Sequence, residues 1–134
     1  MTAYRVVLAE DHLLLRQAIK KILQKRDELS VVGEAGDGLE LLQLLELSLP
    51  DMVIIDISMP RLGGLEATRK IKELYPHVKV LILTVHKEKD YLDKAMEYGA
   101  DGYVVKEDMD SELYPAIASV RRGQFYVFEL LKAI

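Results

Sequence analysis

The sequence has no cysteine, which excludes disulfides, thiolate chemistry and cysteine-ligated metals. It has no apolar run approaching the roughly 20 residues that cross a bilayer. Its opening, Met1-Thr2-Ala3-Tyr4-Arg5, runs straight into a strand pattern and carries no secretory signal. Positive charge is not in excess: 18 Lys and Arg stand against 22 Asp and Glu, for a net charge of −4. Contacts to a phosphate backbone need clustered cations. The basic clusters here, Lys20-Lys21, Lys25-Arg26 and Arg121-Arg122, are short and read as solvated helix faces. The expectations are therefore no direct binding of nucleic acid, no membrane partner and a cytoplasmic location. Gly33, Gly36 and Gly38 do not make a GxGxxG fingerprint, and neither a P-loop, an internal repeat nor a low-complexity stretch is present.

What is present suits one globular domain. The chain has 134 residues, 50% of them hydrophobic and 30% charged, a length at which a single core forms. Five short β-rich apolar runs stand out: Tyr4 to Ala9, Ser30 to Gly33, Met52 to Ile55, Val78 to Leu83 and Gly102 to Val105. Three of them are almost continuously apolar, as in strands of a parallel sheet covered on both faces. Helical segments separate them. Leu15, Ala18, Ile19, Ile22 and Leu23 follow the spacing of one buried stripe. Leu39 to Leu47, Leu65 to Leu74 and Tyr91 to Tyr98 are the next three, and a last helix is expected over Ser111 to Arg122, stopped by Gly123. Strand then helix, five times over, predicts a doubly wound α/β fold. The expected form is a flavodoxin-like five-stranded parallel sheet in the order 2-1-3-4-5, with helices on both faces.

Polar residues follow four of the strands. The first ends in Glu10-Asp11, the third in Asp56, the fourth in Thr84 and the fifth in Lys106. Function in open parallel sheets gathers outside the carboxyl ends of the strands. The order 2-1-3-4-5 makes strands one and three neighbours, so the three acids would share one pocket flanked by Thr84 and Lys106. Singly, each has an ordinary explanation: a carboxylate or threonine after a strand commonly caps a helix, and a lysine there is usually a solvated charge. Together they form a chemical set. Three close carboxylates repel one another unless a cation neutralises them, and Mg²⁺, which favours a few carboxylates, waters and a phosphate oxygen, suits the role. A carboxylate beside such an ion can attack a phosphoryl donor and become an aspartyl phosphate. Metal and lysine would neutralise the transferring group, and the Thr84 hydroxyl would donate to one of its oxygens.

An acidic pair after strand one, Asp56 within IIDISMPRLGGLE, Thr84 within LILT and Lys106 within YVVK together resemble the response-regulator receiver family, in one register over residues 4 to 123. The resemblance implies that Asp56 is the phosphoacceptor. It implies that Glu10, Asp11, Asp56 and the backbone carbonyl of Ser58 hold Mg²⁺, and that Thr84 and Lys106 contact the phosphoryl group. Tyr103 matches the aromatic that changes rotamer as Thr84 moves inward. The donor would be a phosphohistidine on a sensor histidine kinase, with a homodimer possible on phosphorylation. Asp-His after the first acid, the Val-Val-Gly-Glu-Ala strand, Tyr98 to Tyr103 and the stretch Val120 to Tyr126 further resemble the NarL/FixJ subfamily, whose receivers precede a LuxR-type helix-turn-helix. That division makes residues 1–123 the receiver and 124–134 the start of an interdomain linker or helix, Phe128 to Ile134 opening the helix. The helix-turn-helix output domain, through which DNA would be bound, is absent from this chain, by truncation or because the protein is receiver-only.

Three departures carry expectations of their own. Glu107 follows Lys106 where many receivers have proline, which predicts a looser lysine loop or a trans peptide. Glu10 replaces the commoner aspartate, which predicts metal contact through water. Pro115 should kink the last helix unless it falls in the first turn. His86, two residues after Thr84, is placed to control water access to an aspartyl phosphate, whereas His12 reads as an exposed first-turn residue and His77 as a loop residue. The leucines of 39–49 exceed one helical face, which predicts deep burial or a partner surface. A haloacid-dehalogenase-type phosphatase also phosphorylates an aspartate after a strand, but needs a second aspartate two residues later, and position 58 is serine. A flavin or nucleotide site needs a glycine- or hydroxyl-rich anion loop, which is missing. The expectation is thus a signalling switch and not a turnover enzyme, limited to its own phosphorylation and slow dephosphorylation.

Overall fold

The computed structural model describes residues 3–127. Its elements run β1 (Tyr4–Ala9), α1 (Leu13–Gln24), β2 (Leu29–Ala35), α2 (Gly38–Leu47), β3 (Met52–Ile55), α3 (Gly64–Leu74), β4 (Lys79–Thr84), α4 (Lys89–Glu97), β5 (Gly102–Val105), α5 (Met109–Arg121) and β6 (Tyr126–Val127). A 3₁₀ turn, Lys106–Asp108, joins β5 to α5. All strand pairs are parallel and the order is β2-β1-β3-β4-β5-β6.

The period-2 alternation of strand side chains splits the core into two layers. Val7, Ala9, Val53, Ile55, Val80, Ile82, Tyr103 and Val105 face α2, α3 and α4. Val6, Leu8, Met52, Ile54, Leu81, Leu83 and Val104 face α1 and α5. Both faces of the central strands are covered, which is why those segments read as unbroken apolar runs.

The expected five-stranded sheet is corrected to six. Gly123, at φ +83°, ends α5 and turns the chain back, so that Tyr126 and Val127 pair beside Gly102 and Tyr103. A two-residue edge strand has no period to read, and these residues fell in the segment assigned to a linker. Phe128 to Ile134, the expected start of an interdomain helix, lies outside the described residues. At the other edge β2 is longer than expected, with a register shift between Val6 and Val7. Its Glu34 is tolerated in the strand because Lys20 and Arg16 of α1 reach it at 3.0 and 3.2 Å.

Helix α5 begins before Ser111, and Pro115 is its seventh residue. The helix continues through the proline, whose ring lies on the exposed face. The leucine-rich α2 divides its side chains: Leu41 and Leu45 are buried, whereas Leu39 and Leu47 are exposed, as is Leu49 in the loop that follows.

Candidate functional site

β1 and β3 lie side by side, with Ala9 opposite Ile55, so the residues after them emerge together at the carboxyl edge. Asp56 is fixed there by its backbone, whose N–H donates to Ala9 O at 3.0 Å. Behind it α3 starts at Gly64, where a Cβ would stand 2.0 Å from Asp56 O. Only glycine lets the helix begin so near the acid. Glu10 and Asp56 are buried, at 3% and 6% exposure, whereas Asp11 is exposed. Glu10, Asp11 and Asp56 each offer a carboxylate oxygen within 4.8 Å of the others.

Lys106 enters from β5. Its ammonium lies 2.6 Å from Glu10 Oε1 and 3.3 Å from Asp56 Oδ2. The peptide after Lys106 is trans, as the missing proline predicts. The described peptide bonds are all trans, and the 3₁₀ turn carries Lys106 into a held position between two carboxylates. Glu10's extra methylene takes its Oε1 to the lysine, while Oε2 accepts from His12 N–H at 3.0 Å. Burial raises the Glu10 carboxyl above its ordinary range and outweighs the opposing pull of Lys106 and His12, with neighbouring Asp56 adding to the rise.

These residues suit a hard cation. Glu10 Oε1 is buried, with the Lys106 ammonium 2.6 Å away as its near neighbour. Three carboxylates facing one ammonium leave net negative charge, and an all-oxygen donor set of this size matches Mg²⁺.

Thr84 closes β4 and is fully buried. Its Oγ1 accepts from His86 N–H at 3.3 Å. Tyr103 is turned into the fold, 0% exposed, and its hydroxyl donates to His86 O at 2.8 Å. Burial, then the nearby Glu88 and Tyr91, push this phenol's pKa well up. His86 therefore joins several parts of the site. Its Nε2 lies 3.0 Å from Ser58 Oγ in the β3–α3 loop, and its ring stacks on Tyr91 with centroids 4.0 Å apart. Tyr91 was not singled out from sequence, where it reads as an ordinary helix residue. His12 is exposed and precedes α1.

The carboxylate cluster, the lysine and the inward tyrosine stand at one sheet edge, and residues 6–118 match the family model described as response regulator receiver domain. The chain belongs to the response-regulator receiver family. This receiver is 43% identical over 122 residues to the response regulator UvrY of Escherichia coli K12, covering 91% of this chain and 56% of that protein. It is 37% identical over 123 residues to the transcriptional regulatory protein DegU of Brevibacillus brevis, covering 92% of this chain and 52% of DegU. The receiver thus spans about half the length of the curated relatives it matches. A LuxR-family two-component response regulator from Aurantimonas superposes with a TM-score of 0.93 at 34% identity, covering 99% of this chain and 94% of that one. The LuxR-type likeness read from sequence agrees with these relatives. No helix among the described residues is long and apolar enough to cross a membrane.

Proposed function

We propose that this receiver accepts a phosphoryl group on Asp56 from a phosphohistidine of a sensor histidine kinase in the cytoplasm, and that the acyl phosphate switches an output. The observation that carries the reading is the Lys106 ammonium, held 3.3 Å from the Asp56 carboxylate and 2.6 Å from Glu10 inside a three-acid cluster. An Asp56 oxygen attacks phosphorus as the phosphorus–nitrogen bond breaks, and the histidine nitrogen leaves with the electron pair and takes up a proton. Mg²⁺, when bound, offsets charge on the phosphoryl oxygens. Glu10, Asp11, Asp56 and the Ser58 carbonyl would hold it, Glu10 through water. Lys106 exchanges a carboxylate for a phosphoryl oxygen, at little cost in reorganisation because its ammonium already stands at the acceptor.

Thr84 donates its hydroxyl to the phosphoryl group, and that contact favours the arrangement in which Tyr103 is packed inward. The Tyr103–His86–Thr84 hydrogen bonds support this coupling. Relatives of about twice the length include a transcriptional regulatory protein, so the output read here is transcription through a DNA-binding domain beyond this chain, with homodimerisation on phosphorylation.

Thermal unfolding with and without millimolar Mg²⁺ tests the reading. Wild type should melt higher with the ion, gaining about 3 kcal/mol of stability at a hundredfold excess over Kd, and Asp56→Asn should respond far less. A wild type that ignores Mg²⁺ contradicts the proposal.

A further inference from the structure

We propose that Arg61 and Asp37 form a clamp that positions the β3–α3 loop for cation binding, a role that rests on the reading of Asp56 and Ser58 above. The loop leaves Asp56 and returns at Gly64, whose N–H donates to Ile57 O at 2.8 Å. Between these ends the chain makes a tight reversal. Leu62 N–H donates to Pro60 O at 2.7 Å, closing a three-residue turn about Arg61. Arg61 sits at φ +64°, the one non-glycine residue with positive φ among the described residues. A turn of this kind is rare and strained, and glycine would adopt the same φ freely.

The arginine side chain gives a reason for retaining it. Its Nε donates to Asp37 Oδ2 at 2.9 Å, and Nη2 lies 2.7 Å from the same oxygen. The other oxygen, Oδ1, accepts from Glu40 N–H at 2.9 Å and so caps α2. The Glu40 N–H first, and Arg61 after it, hold the Asp37 carboxyl below the usual carboxylate range. Asp37 is the more buried half of the pair, 12% exposed in its side chain against 58% for Arg61. Beside them Gly38 N–H donates to Leu62 O at 3.0 Å, and a Cβ on Gly38 would stand 2.3 Å from that oxygen. Two backbones are thus pressed together, with a charged pair across the seam. Strained backbone persists where its surroundings over-determine it, and such positions gather at functional sites. Here the strain lies three residues from Ser58, in the loop that the clamp ties to α2. Arg61 and Asp37 are positioning residues: they touch neither acceptor nor cation.

The test is calorimetric titration of the full chain with Mg²⁺, together with thermal unfolding in its absence. Arg61→Gly relieves the backbone and removes the clamp. It should melt at or above wild type without metal, yet bind Mg²⁺ about tenfold more weakly, as loss of an outer-shell support does. Asp37→Asn keeps α2 capped, since asparagine caps as well as aspartate, and should weaken Mg²⁺ in the same direction. Arg61→Lys, which keeps the charge, should fall between. Amide exchange over residues 57–62 should quicken in the first two variants. Arg61→Gly and Asp37→Asn proteins that bind Mg²⁺ as tightly as wild type would overturn the clamp and leave the function reading standing. A wild type that binds no Mg²⁺ would overturn that reading, and the clamp's role with it.

Discussion

Replacing Gly64 with alanine tests how closely the acceptor depends on its backbone. The new Cβ would stand 2.0 Å from Asp56 O, 2.7 Å from Asp56 C and 2.9 Å from Ile57 Cα, all backbone atoms that no rotamer change can remove. Contacts under 3.0 Å are essentially never met, so Asp56 and the start of α3 must separate by about 1 Å. Overpacking of this sort costs about 1–3 kcal/mol. Alanine's better helix propensity returns at most about 1 kcal/mol, and less at a first position. A net loss of about 1–2 kcal/mol should appear in urea unfolding. The same displacement acts on the nucleophile, where about 1 Å can cost a hundredfold in rate, so mass gain from acetyl phosphate should slow by about that factor. Gly36→Ala is the control: its Cβ would meet nothing nearer than Arg16 Nη1 at 3.5 Å, and both measurements should stay near wild type. A Gly64→Ala protein with wild-type stability and wild-type labelling would refute the reasoning.

Other perturbations separate the remaining parts. Glu34 is held below its ordinary pKa, chiefly by its hydrogen bond from Lys20. Its contribution is therefore full above the unfolded carboxyl pKa and fades as pH falls through the depressed folded value. Glu34→Gln should cost about 1 kcal/mol at pH 7, and its unfolding curve should converge on wild type in acid; a difference that persists at low pH would contradict this. Tyr103→Phe deletes the hydroxyl bond to His86 O and should cost about 1 kcal/mol in chemical unfolding, while an unchanged midpoint would show that water replaces the bond. His86→Ala removes both the Ser58 contact and the Tyr91 stack and should shorten the phosphoryl lifetime severalfold; equal lifetimes would dismiss histidine as a barrier to water.

The inner sheet was legible because burial on both faces writes itself as continuous apolar sequence. Tyr4–Ala9, Met52–Ile55 and Gly102–Val105 have the bounds read from sequence. The edges were harder. β2 carries Glu34, which its pairing with α1 makes tolerable, and β6 is too short to show alternation. The clustering of Glu10, Asp11, Asp56 and Lys106 was legible once strand order was assigned, because each stands within two residues of the end of an apolar strand. What each side chain holds was not. That Glu10 reaches the lysine depends on one methylene and the 3₁₀ turn at Lys106. The bond between Arg61 and Asp37 spans 24 residues of sequence, and no local pattern announces it. Helix α5 begins at Met109, ahead of the expected start near Ser111, and this puts Pro115 past its first turn.

The most direct measurement is intact mass after brief incubation with acetyl phosphate, with and without Mg²⁺, on wild type and Asp56→Asn. The account predicts one added phosphoryl group on wild type, dependent on Mg²⁺ and absent from the variant. Addition that survives the substitution would contradict Asp56 as acceptor, and a wild type unmodified with Mg²⁺ would contradict phosphoryl acceptance by this site.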